Sequence, residues 1–125
     1  MSVPAELLYT QHDEWIRREG DVVTIGITDY AQDALGELVH VELPEVGRVV
    51  AAGEAIAEVE SVKAVAEVYT AVSGEVIEVN SELDGSEEQI NNDAYGAWLF
   101  KIRLSDDAGL SGLLDAAAYA AKIAH

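Results

Sequence analysis

Cysteine is absent from the 125 residues, which excludes disulfides and thiolate-bound metal. Basic side chains are scarce: 7 Lys and Arg stand against 24 Asp and Glu, for a net charge of −17. Such a surface repels nucleic acid and anionic membranes. It favours basic partner surfaces, although solubility alone would account for the charge equally well. No uninterrupted apolar run approaches the roughly 20 residues needed to span a bilayer. The opening Met1-Ser2-Val3-Pro4-Ala5-Glu6 is neither a signal peptide nor an arginine-rich transit peptide. A cytoplasmic location is expected, or the mitochondrial matrix only if a transit peptide has already been removed. His12, His40 and His125 are scattered without metal-ligand spacing, and His40, between Val39 and Val41, reads as a surface or rim residue. There is no glycine-rich phosphate loop and no motif with the look of a catalytic engine. What is present is ordinary globular material, 50% hydrophobic and 25% charged. It is long enough for one domain, 1–125, with a real core.

Short alternating runs dominate that material. Leu7-Leu8-Tyr9 reads as an edge strand or extended lead-in. Trp15-Ile16 and Val22 to Ile27 flank Arg17-Arg18-Glu19-Gly20-Asp21, the pattern of a hairpin with Val23, Ile25 and Ile27 on one face. Thr28 is a candidate N-cap for two helical turns over Asp29 to Leu35, with Gly36 just past the C-cap. Leu38 to Leu43 is the next strand, Pro44 to Gly47 a turn, and Ser73-Gly74 turns the chain into Glu75 to Asn80. Gly36 to Val41 and Gly74 to Val79 share a Gly-Glu-apolar-apolar-x-Val pattern, a weak internal echo. Ser81 to Ala97 reads as polar and irregular. Trp98, Phe100, Ile102 and Leu104 alternate with Leu99, Lys101 and Arg103 as a half-buried strand, and Trp15 and Trp98 read as core aromatics. Leu110, Leu113, Leu114, Ala117, Ala121 and Ala124 form an apolar stripe that predicts a helix over about 111–123, capped by Ser111. Several short strands between turns argue for a sandwich or barrel, and the two helices leave α+β open as a description.

Near the middle, Ala55 to Glu60 and Val65 to Thr70 are strand-like on either side of Ser61-Val62-Lys63-Ala64, so the stretch over about 55–70 predicts a hairpin with Lys63 at or beside its tip. Val62 is β-branched and resists positive φ, which points to a type I turn. Pairing about this tip sets Ser61 against Ala64, Val59 against Ala66 and Ala57 against Val68, an apolar face for the core. It sets Glu58 against Glu67 and Glu60 against Val65 on the other face. Like charges directly opposite are unfavourable, so the fold tolerates acid behind the lysine. From these residues alone, both a solvated and a modified lysine fit.

Glu60-Ser61-Val62-Lys63-Ala64 resembles the lysine hairpin of the glycine cleavage system H-protein family. The resemblance extends over most of the chain: Tyr9-Thr10, Glu14-Trp15-Ile16, Thr24 to Gln32, Leu35-Gly36-Glu37, Val41 to Gly47, Val72 to Asn80, Ile90-Asn91, Asp93, Tyr95-Gly96 and Trp98. It implies a mainly β barrel-sandwich hybrid like a lipoyl domain, with short added helices including one at the C-terminus and two similar halves about a pseudo-twofold axis. It implies lipoate in amide linkage to Lys63, with Glu60, Ser61, Val62 and Ala64 as the surrounding recognition residues. The implied role is a shuttle and not an enzyme. A pyridoxal-phosphate glycine decarboxylase (P protein) would load an aminomethyl group, and a folate-dependent aminomethyltransferase (T protein) would unload it. A dihydrolipoyl dehydrogenase (L protein) would reoxidise the carrier, and a lipoate-attaching enzyme would install the cofactor. Glu14 and Glu67 are the implied carboxylates beside which the loaded arm would rest.

Rival readings remain in view. Biotin carriers place methionines on both sides of their lysine, where this chain has Val62 and Ala64. Thr28 to Gln32, Pro44 to Gly47 and the terminal helix favour H proteins over the lipoyl domains of 2-oxo acid dehydrogenases. A lipoyl relay, or an unmodified hairpin serving as a binding module, would share the same hairpin. The chain departs from the family at Ala94, where a proline is usual. It has only Ala97 between Gly96 and Trp98, and no proline in Ser86-Glu87-Glu88-Gln89. These changes bear on partner contacts near 86–97 and leave the hairpin untouched.

Overall fold

The computed structural model describes residues 2–124; His125, one of the three histidines weighed above, lies outside the described residues. In chain order the elements are β1 (Leu8–Tyr9), β2 (Glu14–Glu19), β3 (Val22–Ile27), α1 (Asp29–Leu35), β4 (Leu38–Glu42), β5 (Val49–Val50), β6 (Ala55–Ser61), β7 (Val65–Tyr69), β8 (Gly74–Val79), α2 (Glu88–Asn92), β9 (Phe100–Leu104) and α3 (Ala116–Ile123). The strands make two antiparallel sheets, one ordered β1-β2-β3-β9-β8-β5 and the other β4-β6-β7. The expected mainly β class with short helices is what forms, as two sheets rather than one closed barrel among the described residues. The two echoing segments become β4 and β8, one in each sheet.

Burial explains why the sheets face each other. Val23, Ile25, Phe100 and Ile102 from the larger sheet and Leu38, Val41, Ile56, Val59 and Val68 from the smaller one belong to a single buried cluster. Burying each such side chain fully is worth roughly 1.5–3 kcal/mol. The helix that connects β3 to β4 forms where its caps stand. The Thr28 hydroxyl accepts from the Ala31 N–H at 3.1 Å, and Gly36, at φ 86°, closes the other end with its N–H on the Gln32 carbonyl.

A second, aromatic cluster of Leu7, Tyr9, Trp15 and Tyr119 lies outside this core. It corrects the reading of the C-terminal segment. The helix runs over Ala116–Ile123 rather than from 111, with Asp115 rather than Ser111 as its cap, accepting from the Ala118 N–H at 2.8 Å. Leu113-Leu114 is extended because Leu114 and Tyr9 exchange both backbone hydrogen bonds at 2.8 Å. Ala117, Ala121 and Ala124 are exposed. The inward side is Ala116, Tyr119 and Ile123, since the Tyr119 ring stacks on Tyr9 with centroids 4.6 Å apart.

Two smaller differences have the same kind of cause. Leu99 is buried like Phe100, because Leu99 joins the main core while Trp98 packs on the aromatic cluster. The stretch from Ser81 to Ala97 is not irregular throughout: a 3-10 turn at Ser81–Leu83 and helix α2 bury Leu83 and Ile90. Single apolar anchors on polar segments leave no periodic trace.

Trp15 dictates one glycine. A Cβ on Gly26 would stand 2.6 Å from the Trp15 ring, whose Nε1 donates to the Ala94 carbonyl at 3.0 Å. Overpacking of this kind typically costs about 1–3 kcal/mol. Gly26→Ala is expected to lower stability by that amount, read as a shift of the urea midpoint at unchanged slope.

Candidate functional site

The hairpin forms in the register its pattern requires. Ala57 pairs with Val68, Glu58 with Glu67, Val59 with Ala66 and Glu60 with Val65, and the Ser61 N–H donates to the Ala64 carbonyl at 2.8 Å. None of residues 61–64 has positive φ, as the β-branched Val62 demands. Ser61 is buried and shapes the turn from inside, its hydroxyl accepting from the N–H groups of Ala64 at 3.0 Å and Lys63 at 3.3 Å. Glu60, Val62, Lys63 and Ala64 are exposed, with 74% of Val62 accessible. Glu60 and Ala64 thus frame the lysine from outside, while Ser61 acts on it only through the backbone.

The three lysines differ in company. Lys101 Nζ lies 3.5 Å from Glu78 and 4.9 Å from the Trp98 ring centre. Lys122 Nζ lies 3.4 Å from Asp13. Lys63 is exposed and in no ion pair among the described residues. The acidic side of the hairpin runs across three strands, because Glu42 pairs with Glu58 and Glu58 with Glu67. His40, opposite Glu60, is exposed there as expected.

Glu14 and Glu67 differ sharply. Glu14 is only 1% exposed. Its carboxylate accepts from the Thr10 hydroxyl at 2.7 Å and from the Tyr69 N–H at 2.8 Å. Burial pushes its carboxyl above the usual range, and these two hydrogen bonds hold it back in part. It lies at a cleft of about 260 Å³ whose walls include Thr10, His12, Tyr69, Gly109 and Leu113. The His12 and Tyr69 rings stand 4.4 Å apart there. Glu67 is exposed and lines a neighbouring depression with Glu42, Arg48 and Glu58. The structure does not bring the two carboxylates into one cluster. It links them through Tyr69, whose backbone N–H serves Glu14 and whose hydroxyl donates to Glu67 at 3.1 Å.

Three contributors carry little signal in the sequence: Tyr69, Asp13 and Asn91. Asp13 holds φ 66° beside Glu14 and accepts from the Tyr119 hydroxyl at 2.9 Å, so the C-terminal helix fixes the loop that carries the buried acid. No helix among the described residues is long and apolar enough to cross a membrane, and no group of three or more metal-ligating side chains occurs among them.

The fold is thus a two-sheet β domain that carries, at the tip of a tight hairpin, an exposed lysine in no ion pair among the described residues. A family model described as glycine cleavage H-protein matches residues 7–125. The glycine cleavage system H protein of Thiobacillus denitrificans is 57% identical over 120 residues, covering 95% of this chain and 93% of that one. The protein of the same name from Burkholderia ambifaria is 55% identical over 119 residues, 94% of each. The crystal structure of a glycine cleavage system H protein from Mycobacterium marinum superposes with a TM-score of 0.89 at 39% identity, covering 98% of this chain and 99% of that one. The chain belongs to the glycine cleavage H-protein family. That membership gives it a lipoyl-carrier role in glycine cleavage.

The buried acid sets a pH dependence. A carboxyl whose folded pKa is raised above 4.5 is protonated more readily folded than unfolded, so stability falls as pH rises from that value through the folded one. Glu14→Gln keeps the shape without the charge. The melting-temperature difference, wild type minus variant, is therefore expected to fall as pH is raised from about 4.5 and to level off once pH has passed the folded value.

Proposed function

We propose that Lys63 bears lipoate in amide linkage, and that the chain works as a carrier subunit rather than a catalyst. It takes an aminomethyl group from the glycine decarboxylase to the folate-dependent aminomethyltransferase, and electrons to the dihydrolipoyl dehydrogenase. The observation that carries this reading is the lysine itself. Lys63 is exposed, it is outside any ion pair among the described residues, and a turn with no backbone strain holds it. When bound, lipoate supplies a disulfide that accepts the aminomethyl group on one sulfur and two electrons overall. The residues of the chain do the rest. Val62 and Ala64 leave room beside the amine for an attaching enzyme, and the ladder behind them keeps it projecting.

The test is intact mass after exposure to a lipoate-attaching enzyme. Wild type is expected to gain one lipoyl increment mapping to Lys63. Lys63→Arg keeps the charge without a primary amine; it is expected to gain none and to melt within about 0.5 kcal/mol of wild type, as surface changes do. An unmodified wild-type chain would favour the binding-module reading instead.

We further propose that the loaded arm rests against the Glu14 cleft; Glu67, which lines a separate depression, is tied to that cleft through the Tyr69 hydroxyl. An aminomethyl group is an amine and carries a positive charge near neutrality. Glu14 is a buried carboxylate with no cation paired to it among the described residues, so a cationic group entering the cleft would offset its desolvation. A charge-assisted hydrogen bond is worth roughly 1.5–3 kcal/mol. In loaded Glu14→Ala protein, ammonia and formaldehyde are expected to appear about tenfold faster or more without the transferase, since each 1.4 kcal/mol is a factor of ten. Glu67 is exposed, and water screens it, so loaded Glu67→Ala protein is expected to change less. Wild-type decay in both would rule out the resting place.

A further inference from the structure

We propose that Asn91, on helix α2, is a positioning residue for the lysine hairpin, acting through the loop Gly36-Glu37-Leu38. Its side chain makes three hydrogen bonds. Oδ1 accepts from the Leu38 N–H at 3.0 Å, and Nδ2 donates to the Gly36 carbonyl at 2.8 Å and to Gln32 Oε1 at 2.9 Å. One amide therefore spans both ends of the loop that leaves α1 and enters β4, and also grips α1. The loop in turn holds the hairpin tip. The Glu37 carbonyl, between the two clamped residues, accepts from the Val62 N–H at 3.2 Å, and Leu38 pairs with Ser61. Gly36 lies directly under the lysine: a Cβ added there would stand 3.7 Å from Lys63 Cε.

The hairpin needs such support. Beyond Glu60–Val65 the β6–β7 ladder ends, and the tip is held from within by Ser61 and from without by Glu37. Gly36 sits at φ 86°, a conformation glycine adopts freely but does not enforce. The amide of Asn91 fixes what glycine leaves free. Ile90, fully buried next to it, anchors the helix so that the amide is delivered at a set distance. No other side chain among the described residues accepts from the Leu38 N–H or donates to the Gly36 carbonyl.

This inference rests on the carrier reading only for its consequence, the rate of modification at Lys63. Amide hydrogen exchange on the unmodified protein tests the clamp itself. In Asn91→Leu, which keeps the volume and removes the hydrogen bonds, the Val62 and Leu38 amides are expected to exchange about tenfold faster or more. Val23, Ile25 and Ile102 in the main core are expected to hold their wild-type protection. Asn91→Asp keeps the acceptor for Leu38 and replaces the single Nδ2 that donates both bonds with one oxygen, which repels the Gly36 carbonyl and Gln32 Oε1. It is expected to loosen Val62 as well, by a smaller factor. Both variants are expected to lose kcat/KM for lipoate attachment in the order of their exchange rates at Val62. Exchange that rises equally in core and tip would reduce Asn91 to a general structural residue, and unchanged exchange at Val62 would overturn the proposal. A wild-type chain left unmodified by the attaching enzyme would count against the carrier reading and leave the exchange comparison standing.

Discussion

Register in the β6–β7 ladder governs what Lys63 is. Side chains alternate across a strand, so a slip of one residue would move every side chain to the opposite face. In the observed register Ala57, Val59 and Val68 complete the core while Glu58, Glu60 and Glu67 meet solvent. The slipped register would bury carboxylates against Ile25 and Phe100, at several kcal/mol for each charge without a partner. The lysine is thus placed by residues that never touch it. Repulsion between Glu58 and Glu67 works against the pairing by a fraction of a kcal/mol at an exposed site, far less than the apolar face contributes. Acid on the outer face is compatible with the hairpin because apolar burial on the inner face outweighs it.

This asymmetry explains how much of the site was legible. The hairpin could be read residue by residue, because alternation is local and Val62 limits the turn. The cap at Thr28 and the stop at Gly36 were legible for the same reason, each being a property of a few adjacent residues. Long-range pairing was not. Nothing in Leu113-Leu114 distinguishes a helical stripe from a strand that bonds Tyr9, more than a hundred positions away. The stripe of alanines at 117, 121 and 124 was a true periodicity of the wrong face. What decides the face is Tyr119, which reaches Thr28 and Asp13 with its hydroxyl at 2.7 and 2.9 Å. The role of Asn91 leaves no such trace, because a side-chain amide spanning two backbone ends has no signature in sequence.

The two carboxylates show the same limit at the level of chemistry. Adjacent letters place Glu14 beside Trp15 and set Glu67 four residues past the lysine, which makes them look alike. The fold separates them by environment. Glu14 starts a strand whose near end is covered by the loop at Thr10 and by Tyr69, so its carboxylate is desolvated and satisfied by two donors. Glu67 lies on the outer face of the smaller sheet, where water is available. Burial, rather than sequence context, is what raises the proton affinity of Glu14.

That difference gives the cleft a direction. A buried carboxylate held by two neutral donors costs more folded than unfolded, and the stability lost is available to any cation that enters. In the proposed resting place a neutral arm would gain only apolar contact with walls such as Leu113, whereas an arm carrying an amine would also gain the charge of Glu14. Occupancy would then depend on whether the arm is loaded, because a site shifts an equilibrium only by its differential affinity for the two states. A carrier needs that difference. In the proposed resting place the arm would be held while the cargo can be lost to water and would swing free when the cargo is gone, because a cation would add to the two hydrogen bonds that already offset part of the Glu14 desolvation.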